Sequence, residues 1–506
     1  MKKRFFSILI SFLMLFSTAC NSSDEGNAPV SKNDQDVTDP QNMTETQPPE
    51  TEAKPLTAAE KRLLVKDSLP DISFDGADFR VATKENWKSE VLVDELTGDG
   101  VNDAIYDRNS RISERFKVNI VPVVTPEGDM YTQVNNVRAS IMAEDDAFDL
   151  AATYAMTAGT IISEGCYRNW NDMPYNDFSQ PWWLSNVNDC FGVGGKIFTV
   201  VGDMCFSLLE YTYCTYYNRT RGDTYGLTEQ LFKDIREGKW TIDYLLNLTG
   251  NIYEDVNGDG ERDGEDIYGF LAHDGTDLMI YTYAFDIPLT ARNSEGIPEL
   301  AINSEKTITA VEKINKLYWE NNGSYIIPEA NHPEVPKMFA AGKSVFYTSM
   351  FCRTFNNLRD MEDDFSILPF VKYDEAQESY LTSDMDNYSV LGVPITCKNL
   401  DLVSVVTESM NVESYRTVFP AYYEKALKGK YARDEESIEM IDMVMAGRRF
   451  DFATLYTAAS DLNALNTIVQ ASVRSRNADF ASRYISNEKV LKKKLEKIVK
   501  AFEEIP

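Results

Sequence analysis

Asp255, Asn257, Asp259, Glu261, Asp263 and Asp266 stand at positions 1, 3, 5, 7, 9 and 12 of one acidic loop, with Gly260 at position 6. That is the spacing of an EF-hand loop. Ca²⁺ takes about 6–8 hard oxygen ligands at roughly 2.3–2.6 Å, and the glycine permits the sharp turn that wraps them around the ion. Glu261 would supply its backbone carbonyl. Asp266 stands where Glu is usual, so its bidentate reach is shorter. The spacing predicts a structural calcium loop; the alternative is an acidic surface turn that binds nothing.

Other chemistries are poorly supplied. Two histidines occur, His273 and His332, so a multi-histidine zinc site is excluded and a His-based triad has two candidates. Ala341-Gly342-Lys343-Ser344 has the end of a phosphate loop, but its first glycine would fall at Lys337 and a strand follows where a helix is needed. The run from Asp94 to Asp103 lacks calcium spacing; it predicts a turn at Gly98–Gly100 and a helix cap from Asn102 or Asp103. Paired carboxylates for glycoside hydrolysis are uninformative among 80 acidic residues. Aromatic side chains are plentiful, Trp170, Trp182, Trp183, Tyr154, Tyr211, Tyr213, Tyr347 and Phe351 among them. Exposed rings can stack on sugar C–H faces; core packing is the plainer role for any one of them.

The elements that would position these residues begin with an address. Lys2, Lys3 and Arg4 precede an apolar run over 5–16, too short for a ~30 Å hydrocarbon core and suited to a secretory signal. Ser17-Thr18-Ala19-Cys20 closes it and resembles a bacterial lipobox, with Ser17 where Leu is usual. The resemblance implies lipidation of Cys20 after removal of 1–19. Plain secretion, with Cys20 incidental, is the alternative. Residues 20–59 form an acidic, Pro- and Thr-rich stretch without aromatics, which cannot bury enough surface to offset chain entropy and predicts a disordered tether. The chain of 506 residues, 43% of them apolar, is large enough for two lobes. A net charge of −30 argues against nucleic acid. Six further cysteines (Cys166, Cys190, Cys205, Cys214, Cys352, Cys397) permit disulfides but are sparse and show no CxxC, favouring core thiols.

Periodicity predicts strands over 79–83, 118–124 and 148–152 with helices between, hence an α/β fold with a parallel sheet. Further strands are expected at 196–201 and 343–348. An amphipathic helix is expected over 488–505, with Val490, Leu491, Ile498 and Phe502 apolar and its lysines solvated.

Several stretches together resemble the extracellular solute-binding proteins of bacterial ABC importers, the maltose-binding-like carbohydrate cluster in its lipoprotein form. They are GDGVNDAIYDRN (98–109), QPWW (180–183), YYN (216–218), GKWTID (238–243), IYGF after the acidic loop (267–270), MFAAGK (338–343), ILPFVKYD (367–374) and PAYYEKAL (420–427). The resemblance implies a two-lobed periplasmic-binding-protein-like fold, each lobe a mostly parallel sheet flanked by helices, joined by crossing segments near 215–219 and 384–389. Lobe 1 would be 76–216 plus 386–430, and lobe 2 would be 217–385 plus 431–506.

It further implies a lipid-anchored, non-enzymatic receptor on the outer face of the cell membrane. This receptor would capture an oligosaccharide by hinge closure and deliver it to ABC permease subunits. A sugar sensor without transport, or a surface glycoside-active enzyme, are the alternatives. Strand-end geometry and this analogy place Tyr154, Trp182, Trp183, Asp203, Ser349, Phe351 and Arg353 at the ligand cleft. Trp240 is expected in packing.

Overall fold

The structure is a computed structural model that describes residues 58–384, 387–423, 435–456 and 462–505. The signal, Cys20 and the tether as far as residue 57 lie outside them. Twelve strands run in chain order: β1 (Ala77–Lys84), β2 (Val118–Thr125), β3 (Leu150–Tyr154), β4 (Tyr213–Asn218), β5 (Tyr253–Glu254), β6 (Ile267–His273), β7 (Thr290–Arg292), β8 (Pro298–Leu300), β9 (Ser324–Ile327), β10 (Ser344–Met350), β11 (Phe365–Leu368) and β12 (Ser389–Gly392).

Two sheets, one per lobe, organise the molecule. The first has order β12-β3-β1-β2, with β1 parallel to both β2 and β3 and β12 antiparallel to β3. The second has order β11-β4-β10-β6-β5, with β9 also beside β6. β6 runs parallel to β10 and β9, while β4 is antiparallel to β10 and β11. β7 and β8 form a separate hairpin. Phe79 and Val81 are buried on one face of β1, Ala82 and Thr83 nearby, and all of β6 is buried, as sheets covered by helices on both faces require.

The helix Gly100–Phe116 shows how local chemistry sets an element. Asp99 caps it, accepting from Val101 N at 3.0 Å and Asn102 N at 3.1 Å, so the cap lies three residues ahead of the expected Asn102. Periodicity puts Ala104, Ile105, Ile112 and Phe116 on one face; Ile105, Ile112 and Phe116 are buried there and Ala104 only partly. Arg108 lies on that same face and is buried as well. It is accommodated because its guanidinium donates to the carbonyls of Glu90 (2.7 Å) and Val91 (3.1 Å), to Ser414 Oγ and to Asn109 Oδ1.

Among the described residues the chain passes between the lobes through 207–212, through 381–384 and 387–389, and again through 447–451. Tyr213 N donates to Ser383 O (3.2 Å), Thr382 N to Gly447 O (2.9 Å) and Arg449 N to Thr382 O (2.7 Å), so the crossings are hydrogen-bonded to one another. Three expectations are corrected here. Tyr213 to Asn218 is already a strand of the second sheet, which moves the first crossing ahead of 215–219. Residues 196–201 form no strand; they make only isolated bridges, Val193 to Lys196 and Val200 to Leu391. Residues 431–506 do not all belong to lobe 2. Phe452–Tyr456 packs on the first-lobe helix Ala155–Ser163, and Phe502 meets Phe198 at 5.1 Å. The last helix spans Phe480–Glu504 with Leu491, Leu495, Ile498 and Phe502 inward, but Val490 is 52% exposed, one residue off the apolar stripe.

The six cysteines are unpaired, and burial pushes Cys166, Cys190, Cys352 and Cys397 up to about 11. Among the described residues no helix is long and apolar enough to cross a membrane.

Candidate functional site

Tyr154 closes β3, and its position is set by a side chain from a neighbouring helix. Gln133 donates to Ala152 O at 2.7 Å and accepts from Tyr154 N at 3.2 Å, satisfying the strand end where the ladder stops. Ala155 N donates to Tyr388 O, tying the following helix to the second crossing. Tyr154 meets Trp87 edge-on at 5.6 Å, and the ammonium of Lys84, the last residue of β1, rests on both rings, 3.3 Å from the Trp87 centroid and 4.4 Å from that of Tyr154. Burial pushes Lys84 down to about 8, against the opposing field of Glu90.

Tyr154 and Met130 line two adjoining cavities. One, of about 190 Å³, lies over the carboxyl ends of β1 and β2 and includes Lys84, Glu85, Glu127 and Asp129. The other, of about 350 Å³, lies between the lobes. Met130, Tyr154 and Met156 come to it from the first lobe, and Tyr213, Thr276, Met279 and Met350 from the second. Asp384 and Asn387 enter from the crossing, and Asn463, Thr467 and Gln470 from the helix Asn463–Arg474. Asp384 receives the Thr212 hydroxyl from the first crossing on Oδ1, its Oδ2 meets no donor among the described residues, and burial pushes it up to about 6. A larger open depression of about 760 Å³, around Tyr373 and Gln377, has no wall from the first sheet.

Of the expected cleft residues, Tyr154 lines the interlobe cavity and six do not. Trp182 (1% exposed) and Trp183 (3%) lie inside the first lobe. Both indole N–H groups donate to Glu408, at 2.7 and 2.9 Å, and the rings pack against Trp170, Phe178 and Tyr415, so burial rather than these bonds denies them to a ligand. Phe351 is fully buried in a second-lobe apolar cluster. Asp203 is buried opposite Arg62 at 3.8 Å, and that guanidinium lies between Tyr415 and Phe419, 4.3 and 4.2 Å from their centroids. Ser349 is buried at the end of β10, its hydroxyl accepting from Arg353 Nε at 3.4 Å. Arg353 stands half-buried, its Nη1 also donating to Asn357. Trp240 packs as expected, donating to Pro369 O at 2.9 Å.

Sequence reasoning missed Lys84, although it stands at the end of the first strand, where the strand-end rule would have found it. It also missed the methionines, whose types carry no such signal.

The acidic loop joins β5 to β6 at the edge of the second sheet. Asp255 accepts from Gly258 N (2.7 Å) and Gly260 N (3.0 Å), Asn257 from Asp259 N, and Asp259 from Glu261 N (2.8 Å), with Gly258 and Gly260 at positive φ. Asp263 accepts from Glu265 N. Asp266 is fully buried and receives Val256 N and the Tyr253 hydroxyl. Among the described residues no three carboxylate, histidine or cysteine groups converge closely enough to hold a metal. A calcium ion would have to draw Asp255, Asn257 and Asp259 inward toward Asp266.

No protein-family model matches the chain, and no curated protein sequence matches it. Solved structures do match its fold. UspC from Mycobacterium tuberculosis aligns with a TM-score of 0.55 at 13% identity, covering 82% of this chain and 100% of that one. UgpB from the same organism, in complex with glycerophosphocholine, gives 0.52 at 14%, covering 83% and 98%. An ABC transporter solute-binding protein from Thermotoga lettingae TMO, bound with alpha-D-tagatose, gives 0.51 at 12%, covering 84% and 100%. The fold is that of the two-lobed ABC-transporter solute-binding proteins.

Proposed function

We propose that the chain is a receptor of a bacterial ABC importer, anchored through lipid on Cys20, which captures an oligosaccharide between its lobes and hands it to the permease subunits. The observation that carries this reading is the interlobe cavity, walled by both sheets and by a crossing segment, so that a bound solute would touch every part that must move for closure. Its lining mixes methionine and tyrosine surface with the amides of Asn387, Asn463 and Gln470, the hydroxyl of Thr276 and the carboxyl of Asp384. That mixture suits a molecule with apolar C–H faces and many hydroxyls. Two of the solved structures of like fold hold tagatose and glycerophosphocholine, both small and rich in oxygen. Calcium at the acidic loop is part of the proposal, as an ion that holds the edge of the second lobe.

The test is a thermal-shift panel of oligosaccharides on the mature chain. A solute at 1,000 times its Kd adds about 4 kcal/mol, which for lobes of this size raises the midpoint by roughly 8–16 °C. Recovery of the solute intact separates a receptor from a glycoside-active enzyme. No shift with any oligosaccharide would remove carbohydrate as the cargo.

A further inference from the structure

Lys84 is a half-buried cation at the carboxyl end of β1. Its ammonium sits on the faces of Trp87 and Tyr154 and makes no hydrogen bond or ion pair with any described residue. Among the described residues, the buried acidic group whose field reaches it is already engaged. Glu90, the nearest buried carboxylate, accepts Ser207 N on one oxygen and Ser389 Oγ on the other, both at 2.6 Å. Asp129 accepts Tyr131 N at 3.0 Å and the Thr132 hydroxyl at 2.9 Å. Glu85 and Glu127 stand exposed at the rim of the cavity. Burial strips the ammonium of water, and the two rings hold it in place without neutralising it.

We infer that the solute is an anionic saccharide and that Lys84 pairs with its acidic group; this rests on the receptor reading and adds the charge of the cargo. In a water-poor cavity a charge-assisted hydrogen bond to an oxyanion is stronger than one to a neutral hydroxyl. The protein as a whole is strongly acidic, with a net charge of −30, and would repel such a solute at long range. Lys84 lines the smaller first-lobe cavity, which adjoins the interlobe one through Tyr154 and Met130, and its ammonium is the one cationic group among the lining residues of either, set against Glu85, Glu127 and Asp129. The acidic group can be a uronate carboxylate or a sugar phosphate, and these are separated by experiment.

The experiment is isothermal titration of the mature chain, Lys84→Gln and Lys84→Arg with three probes: an oligogalacturonate, a hexose phosphate and a neutral maltotetraose. Circular dichroism and thermal midpoints establish that each variant is folded. One of the two acidic probes is expected to bind the unaltered chain, at least tenfold more weakly to Lys84→Gln and with near-normal affinity to Lys84→Arg. Which acidic probe binds identifies the oxyanion. Binding of maltotetraose alone, equal in all three proteins, would overturn the inference and leave the receptor reading in place. Acidic binding indifferent to Lys84→Gln would overturn the role of Lys84. Silence from all three probes would overturn the inference together with the carbohydrate reading.

Discussion

Ser389 and Glu90, 299 positions apart, are joined by a 2.6 Å hydrogen bond from the serine hydroxyl to the carboxylate. The other oxygen of Glu90 takes the backbone N–H of Ser207, also at 2.6 Å. Ser207 leads into the first crossing, and Ser389 closes the second and lies opposite Tyr154 in the first sheet. One buried carboxylate on a four-residue turn therefore ties both crossings to the wall that carries Tyr154 and Lys84.

Replacing Glu90 by Leu strands the Ser207 N–H and the Ser389 hydroxyl without partners. The expected loss is about 2–4 kcal/mol, read as a lowered midpoint by calorimetry. Solute affinity should fall as well, because the crossings lose their common anchor. A variant with unchanged stability would show that water replaces the carboxylate at no cost.

Tyr154 and Trp183 should separate cleanly. Tyr154→Ala is expected to weaken solute binding by roughly tenfold or more, the value of one lost aromatic face, with a small effect on the midpoint. Trp183→Phe removes one donor from Glu408 and should lower stability by about 1–2 kcal/mol while affinity stays the same. Titration calorimetry beside thermal unfolding reads both.

Stability should peak in mild acid. Burial pushes Asp203, Glu210 and Glu408 up to about 7 and Asp384 up to about 6. Between roughly pH 4 and 7 the folded chain therefore holds protons that the unfolded chain has released, and stability falls as pH rises through that window. Burial works to lower His273, but Asp277 and Glu329 outweigh it and carry it up to about 10, from an ordinary 6.5, so the decline continues to that pH. Glu329, held low by His273, and Asp146, held low by Lys398, act oppositely and lose their contribution in strong acid. The midpoint should be highest at about pH 4 and fall toward pH 9. Asp203→Asn with Glu408→Gln should flatten the limb between pH 5 and 7.

Calcium should raise the midpoint of the mature chain, and a chelator should reverse the rise. Asp255→Ala combined with Asp259→Ala removes two oxygens that would turn toward the ion. It should abolish the calcium response while leaving solute binding near normal, because the loop lies at the sheet edge. A rise that persists in the double variant would place calcium elsewhere.

The parallel first sheet, its helices and the capped start near residue 100 were legible because each depends on local periodicity and on side chains that cap their own backbone. Tyr154 was legible because strand ends face clefts in open α/β sheets. Trp182 and Trp183 were misread because an aromatic residue has the same type in a core and at a cleft. What buries them is Glu408, more than two hundred positions away, and no spacing rule reaches it. Arg108 on an apolar stripe was equally opaque, since its burial depends on carbonyls of a different turn. The first crossing was placed late because Tyr213 to Asn218 is as apolar as any hinge-flanking strand, and only pairing with Met350 to Phe346 assigns it to the second sheet.

The three crossings among the described residues, bonded to one another, have a mechanical consequence. A single cut within 207–212 would leave the lobes joined by the other crossings among the described residues and by the bonds through Thr382. Such a nicked chain would keep its halves in register. Opening and closing would then be governed by bending of a three-ply ribbon, which resists twist far more than a single linker does.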